Sequence, residues 1–338
     1  MIEQQLRESF ARHEGEAPNV DELRQGIVTL TGKRRRRRIA LRYTGVAAIV
    51  AVVLLVVPLI VKNVPNRVPH IAPGVTTGLP DGPLNFLVLG LEPFDQPGSD
   101  SVTVVHISSD HKRAYLIDFE RDLLVDIPGH GQGKLTSAYK LGGAPLTKQI
   151  VQSLTGITFN GVVTITVDAL RDLTTAVGGI QMCLPVTVKS IHTGRTFPVG
   201  CYPFDGAAVA DLVRQRMNLP MGGYTRDANI QRVMMALVSS VHRLNLFTDA
   251  NRVAALLHVS GLQVDLGDID AIALAAQLKN LDGKDLTGIV SPNYRTLDKA
   301  GVAYEQLDPV VTPQLFGALR DDALDQFATA HPDWLVNH

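Results

Sequence analysis

The sequence predicts a layered α/β domain preceded by one transmembrane helix. Three observations carry that expectation. An uncharged run of about nineteen residues extends from Tyr43 to Val61, a proline-rich stretch follows it, and from Leu84 onward strand-length apolar runs alternate with helical segments. With 338 residues, 45% hydrophobic and 19% charged, the chain can bury a full core, and its length fits one or two domains. Aromatic residues make up 5% with one Trp, so no sugar-stacking platform is advertised, and a formal charge of -1 gives no whole-protein pull toward nucleic acid.

Residues 1–42 read as a cytoplasmic basic tail, with helical spacing at Leu6, Phe10, Leu23 and Ile27 that is too short to fold alone. It ends in Lys33 and the unbroken run Arg34 to Arg38. The span at 43–62 would reach roughly 28 Å as a helix, close to a hydrocarbon core of about 30 Å. A cleaved signal peptide would begin nearer the terminus, carry a shorter apolar region and end at a small-residue site. Lys33, Arg34 to Arg38 and Arg42 precede the span, whereas only Lys62 and Arg67 closely follow it. The positive-inside rule therefore predicts a single-pass protein of the cell membrane, with a cytoplasmic amino terminus and the main domain outside. The same basic run can attract anionic lipid headgroups. Residues 63–83 hold Pro65, Pro69, Pro73, Pro80 and Pro83, the composition of an extended linker.

The folded domain is expected over 84–250, with 251–338 as its carboxyl-terminal part or an extension supplying edge strands and covering helices. LNFLVLGL reads as a buried strand delivering the loop EPFDQPGSD at Gly90. SVTVVHIS and AYLIDFE follow as a hairpin or neighbouring strands. RDLLVDIPGHGQGKLTSAYKLGG reads as a short strand and a Gly-rich loop leading to a helix at about Pro145 to Thr155. A strand is expected at Gly161–Val167, a helix at Asp168–Val177 ending on Gly178 and Gly179, a strand at Ile180–Val188 and a surface loop at His192–Gly200. Asp205 is placed to cap a helix to Val213, and a longer helix should cover about Arg226 to Leu244. Cys183 and Cys201 cannot form a structural zinc site by themselves; outside the membrane they can form one disulfide, and buried free thiols are the other reading.

Arg214, Arg216, Arg226 and Arg232 crowd one short segment of a nearly neutral chain. Guanidinium groups carry a fork of donors matching phosphate oxygens two at a time, so several converging on a pocket would suit a pyrophosphate. Solvated surface charge is the bland alternative.

The ordered motifs NFLVLG, SDSVTVVHI, ERDLLVDIPG, KLTSAY, AVGGI, FDGAAVADLVRQR and GGYTRDANIQR resemble those of the LytR-CpsA-Psr family of envelope proteins, over about Leu84 to Leu244. The resemblance implies a three-layer α/β/α domain around a central mixed sheet. It also implies a phosphotransferase that moves a glycopolymer from a polyprenyl-pyrophosphate carrier to peptidoglycan, with an apolar pocket for the polyprenyl chain and a divalent cation, magnesium. On the family pattern Asp100 would be a catalytic metal ligand and Arg121 would touch phosphate. Asp122 would orient an arginine or help activate the acceptor hydroxyl, and Arg214, Arg216 and Arg226 would bind pyrophosphate. Lys134 matches a loop lysine, with solvated surface the equal alternative, and Arg232 is expected on a helix surface. Glu92 stands where an Asp is usual as second metal ligand, followed by Pro93. Gly98 stands where an arginine usually precedes Ser-Asp, Gly223 in place of an acidic residue, and Asn229 with Ile230 in place of an Arg-Gln pair. These departures leave a second function class, an envelope protein that binds or scaffolds polyprenyl-linked glycopolymer without turnover. A transcription regulator fits poorly, since only the basic tail would share a compartment with nucleic acid, and none is expected as a partner.

Overall fold

The computed structural model describes residues 79–91, 98–244, 259–269, 274 and 277–336. The apolar run at 43–61, the linker before residue 79 and Glu92 lie outside the described residues. Among the described residues no helix is long and apolar enough to cross a membrane.

Strand β1 (Leu84–Leu91) shows why the domain is layered. Leu84, Phe86 and Val88 enter one core, while Leu87 and Leu89 enter another. Successive side chains of a strand point to opposite faces, so a strand apolar at every position must be covered on both sides. β2 (Ser99–Ile107) pairs antiparallel with β1, and β3 (Ala114–Phe119) antiparallel with β2. They keep the same division, with Val105, Ile107 and Leu116 on the first side and Val102, Val104, Ile117 and Phe119 on the second.

The next segment differs from the expectation. The residues expected as a Gly-rich loop belong to a hairpin of β4 (Leu124–Ile127) and β5 (Gly131–Lys134), turned through Gly129 and Gly131 at φ 79° and 73°. Helix α1 (Leu135–Thr155) begins well before Pro145, and Gly142 and Gly143 break its geometry midway, Gly143 at φ 65°. The Gly-Gly and Pro signals that read as a helix start mark a kink instead.

β6 (Gly161–Thr166) then runs parallel to β1, and α2 (Val167–Ala176) starts where Thr166 Oγ1 accepts the Ala169 N–H. β7 (Ile180–Leu184) stops short of Val188, because β8 (Val188–Lys189) turns away to pair with β9 (Thr196–Phe197) inside the expected loop. β10 (Gly200–Phe204) returns against β7. Asp205 caps α3 (Gly206–Leu212), its Oδ1 accepting the Ala208 N–H at 2.7 Å, and α4 follows at Gly223–Arg243. Residues beyond 259 supply β11 (Leu262–Asp265), β12 (Leu286–Val290), the hairpin β13 (Asn293–Lys299) and β14 (Val302–Leu307), α5 (Val311–Arg320), α6 (Leu324–Ala330) and β15 (Leu335–Val336).

The central sheet is mixed, in the order β11-β6-β1-β2-β3-β12-β15. Residues of α2, α3 and α4 fill the core on one face, and those of α1, α5 and α6 fill the core on the other. β1, β3, β6 and β12 point the same way, so their carboxyl ends and the start of β2 meet at one edge. That edge is where open α/β sheets place ligands.

Cys183 and Cys201 face each other across β7 and β10 with Cα atoms 3.9 Å apart, and they form a disulfide. Alkylation without reductant should leave the intact mass unchanged, and after reduction it should add two adducts. Replacing both cysteines by serine should cost roughly 2–4 kcal/mol in denaturant unfolding. Adducts on the unreduced protein would contradict the pairing.

Candidate functional site

The edge defined by the strand ends carries a cleft. Val88, Ile165, Leu170, Val213, Ile230 and Met234 are among the apolar residues that line it, while Asp100 and Arg214 supply the charge. Gly90 lies at the bulge where β1 parts from β2, and a Cβ there would stand 3.2 Å from Ser101 Cβ. A glycine at that point lets the two strands stay close where the cleft opens.

Beside the cleft, the chain leaving β3 is held rigidly. Leu135 N–H donates to Leu123 O and Thr136 N–H to Arg121 O, both at 2.9 Å, which ties the 120–123 turn to the start of α1. From the other side Glu305 N–H donates to Asp122 O at 3.0 Å. The amino end of α4 is fastened to the same hairpin by Tyr224 Oη, which donates to Glu305 Oε2 at 2.6 Å; burial and Glu305 raise that phenol's pKa.

On this frame the charges form two linked groups. Asp100 Oδ1 accepts a hydrogen bond from Arg121 Nη1 and lies 3.8 Å from Arg226 Nη1. Arg226 is buried, and its Nε and Nη2 both donate to Asp227 Oδ1, at 2.9 and 2.7 Å. Burial works against the guanidinium charge, but Asp227, Glu120 and Asp100 outweigh it and raise the Arg226 pKa. Burial pushes the Asp227 carboxyl up to about 7 despite Arg226, and burial together with Asp227 raises neighbouring Asp118 well above its ordinary value. In the second group Asp122 meets Lys134 Nζ at 2.9 Å through Oδ1 and Arg216 Nη2 through Oδ2. Burial opposes the Asp122 charge, yet Lys134 and Arg216 hold its carboxyl below the usual range.

These geometries decide between roles. A carboxylate with both oxygens engaged and a lowered pKa is a poor proton acceptor near neutral pH. Asp122 therefore serves to hold Arg216 and Lys134. Lys134 is not a solvated surface lysine, because its ammonium lies in this ion pair and 5.8 Å from the Tyr304 ring centroid.

A model described as the LytR_cpsA_psr family matches residues 63–307. The chain belongs to the LytR_cpsA_psr family. It is 29% identical over 232 residues to the polyisoprenyl-teichoic acid–peptidoglycan teichoic acid transferase TagU of Enterococcus faecalis (strain ATCC 700802 / V583), covering 67% of this chain and 75% of that protein. Against the corresponding transferase TagT of Bacillus subtilis (strain 168) it is 26% identical over 244 residues, covering 68% and 72%. The solved structure described as TagT bound to LIIa-WTA superposes with a TM-score of 0.60 at 25% identity, covering 76% of this chain and 94% of that one.

Of the residues that the LytR_cpsA_psr resemblance nominates, the structure brings Asp100, Arg121, Arg226, Arg216 and Asp122 to one edge, with Arg214 exposed at the cleft mouth. Glu92 falls outside the described residues. Arg232 is not a surface residue: it is buried, donates to Asn229 Oδ1 at 3.1 Å, and burial lowers its pKa. Ile230 is part of the cleft wall, whereas Gln231 turns to the sheet and donates to Leu116 O and Ile289 O at 3.1 and 2.9 Å. Sequence reading missed Glu120, Asp118 and Asp227, all buried acids. The available signal was two carboxylates, Asp118 and Glu120, spaced by two on one side of an otherwise apolar strand.

Folding raises the Asp227 carboxyl, so the native state holds this proton where the unfolded chain has lost it. That contribution to stability is complete below about pH 4 and is lost as pH rises through about 7. Asp227→Asn should therefore gain thermal stability relative to the unmodified protein between about pH 5 and about pH 8. A difference in Tm that stays constant across that range would contradict the raised carboxyl.

Proposed function

We propose that this protein is a phosphotransferase that moves a glycopolymer from a polyprenyl-pyrophosphate carrier to peptidoglycan, outside the cytoplasmic membrane. The observation that carries the reading is a single cleft whose walls are apolar and whose mouth bears Arg214 and Asp100, next to Arg121 and Arg216. A lipid pyrophosphate has the same division, a hydrocarbon chain joined to a compact anion. The names of TagU and TagT as teichoic acid transferases support the reaction class.

In this mechanism the polyprenyl chain enters the cleft between Val88, Ile165 and Met234, which places the pyrophosphate at the arginines. An acceptor hydroxyl of peptidoglycan attacks the phosphorus that bears the glycopolymer. The new O–P bond forms, the bridging P–O bond of the pyrophosphate breaks, and polyprenyl monophosphate leaves while the hydroxyl proton is lost to solvent. Charge on the nonbridging and leaving oxygens is met by Arg121, Arg214 and Arg216, already oriented before substrate arrives. Arg226 acts from behind, sharing the charge of Asp100.

The donor chemistry also fits magnesium. Asp100 is the carboxylate lining the cleft, and magnesium is commonly held by one or two protein carboxylates with substrate phosphate oxygens and water. Asp100 would hold the ion, which would supply further neutralisation of the phosphates. Anchoring by the 43–62 span, with the amino terminus cytoplasmic and the linker setting the domain off the lipid surface, would give the cleft access to a membrane-borne carrier.

The full-length protein in detergent with magnesium should release polyprenyl monophosphate from a polyprenyl pyrophosphate. Asp100→Ala and Arg216→Ala should each lower kcat/KM by about 100-fold or more. Ile230→Glu should raise KM for a long polyprenyl substrate much more than for a short one. Tight binding without turnover, unchanged by Asp100→Ala, would overturn the enzymatic reading in favour of a carrier-binding protein.

A further inference from the structure

We propose that Glu120 is a positioning residue for Arg216, and that glycine at position 223 is what admits it. The proposal rests on the reading of this edge as a pyrophosphate site. A Cβ built on Gly223 would lie 1.8 Å from Glu120 Oε1 and 2.8 Å from its carboxyl carbon. The backbone of Gly223 lies outside the left-handed region, so glycine is required there by space and not by conformation. The carboxylate of Glu120 thus occupies the volume that any side chain at 223 would need.

A buried carboxylate is costly unless its oxygens are satisfied, and Glu120 is 3% exposed. Its Oε2 accepts the Asp122 N–H at 2.8 Å, and its Oε1 lies 3.4 Å from Arg216 Nη2. It also abuts the first residue of the long helix α4, where the helix macrodipole favours negative charge. Glu120 is buried against Gly223, so its carboxylate is not open to substrate or metal. Its carboxylate acts on what does meet substrate. Glu120 and Asp122 meet the same nitrogen, Nη2, of an arginine whose side chain is about one third exposed, so that nitrogen is fixed toward the protein. Asp122 is shared with Lys134, whereas Glu120 meets Arg216 directly while its charge also acts on Arg226. Removing Glu120 leaves Arg216 held by Asp122 alone and looser in its phosphate-binding pose, and adding a side chain at 223 expels the carboxylate to the same effect.

The test is a double-mutant cycle on the full-length protein in detergent with magnesium. The probe is geranylgeranyl pyrophosphate, followed both by calorimetric Kd and by phosphate release. Glu120→Ala and Gly223→Ala should each weaken Kd and raise KM about tenfold with a smaller change in kcat, and the double variant should be no worse than Glu120→Ala alone. Gly223→Asp should be damaging by itself but should return Kd to within about threefold of the unmodified protein when Glu120 is alanine; Gly223→Asn in that background should not. Additive losses, or rescue by asparagine equal to that by aspartate, would overturn the proposal, since each indicates space filling without a positioning charge. Melting curves separate misfolded variants, and Glu120→Gln, which keeps the shape, should reproduce the Glu120→Ala binding defect. If the unmodified protein binds the probe with this mutational pattern but releases no phosphate, the transferase reading fails and the positioning role stands.

Discussion

Arg226 is a buried cation, and the arrangement around it follows from the need to neutralise it. A guanidinium cannot shed its charge as an ammonium can, so its burial obliges the fold to supply carboxylates from several elements. Asp227 comes from the same helix turn, Asp100 from the start of β2 and Glu120 from the turn after β3. Two of those carboxylates then govern a further group. Asp100 reaches Arg121, and Glu120 reaches Arg216 together with Asp122. One buried charge thereby fixes the orientation of the more exposed arginines without touching them.

The sheet makes this possible. Because β1, β3, β6 and β12 share a direction, the ends of distant segments converge on one edge, where α4 also begins. The same edge opens into the core between β1, β6 and α4, so the apolar cleft is a partly unfilled region of one hydrophobic layer. Charge at the rim and hydrocarbon in the depth are consequences of the same strand order.

Much of this was legible in the sequence because the β1 to β3 runs are apolar at almost every position, which forces cover on both faces, and because Asp205 announces a helix start. The charged motifs could also be located by order. What stayed hidden was contact. Glu120 sits beside the motif arginine at Arg121, and nothing local shows that α4 arrives there with a glycine. Arg232 reads as a surface residue because its burial depends on what packs over α4. The Gly142-Gly143 pair looks like a boundary, yet the flanking helical turns pack into one core and keep the helix going through it.

The central claim is that the arginine edge binds the pyrophosphate of a lipid whose chain lies in the adjoining cleft. A crystal structure of the folded domain with a polyprenyl pyrophosphate and magnesium tests it most directly. The account predicts phosphate oxygens within hydrogen-bonding distance of Arg121, Arg214 and Arg216, a cation at Asp100, and the hydrocarbon between Ile165, Ile230 and Met234. Lipid bound at another surface, with no phosphate at Arg121, Arg214 or Arg216, would contradict it.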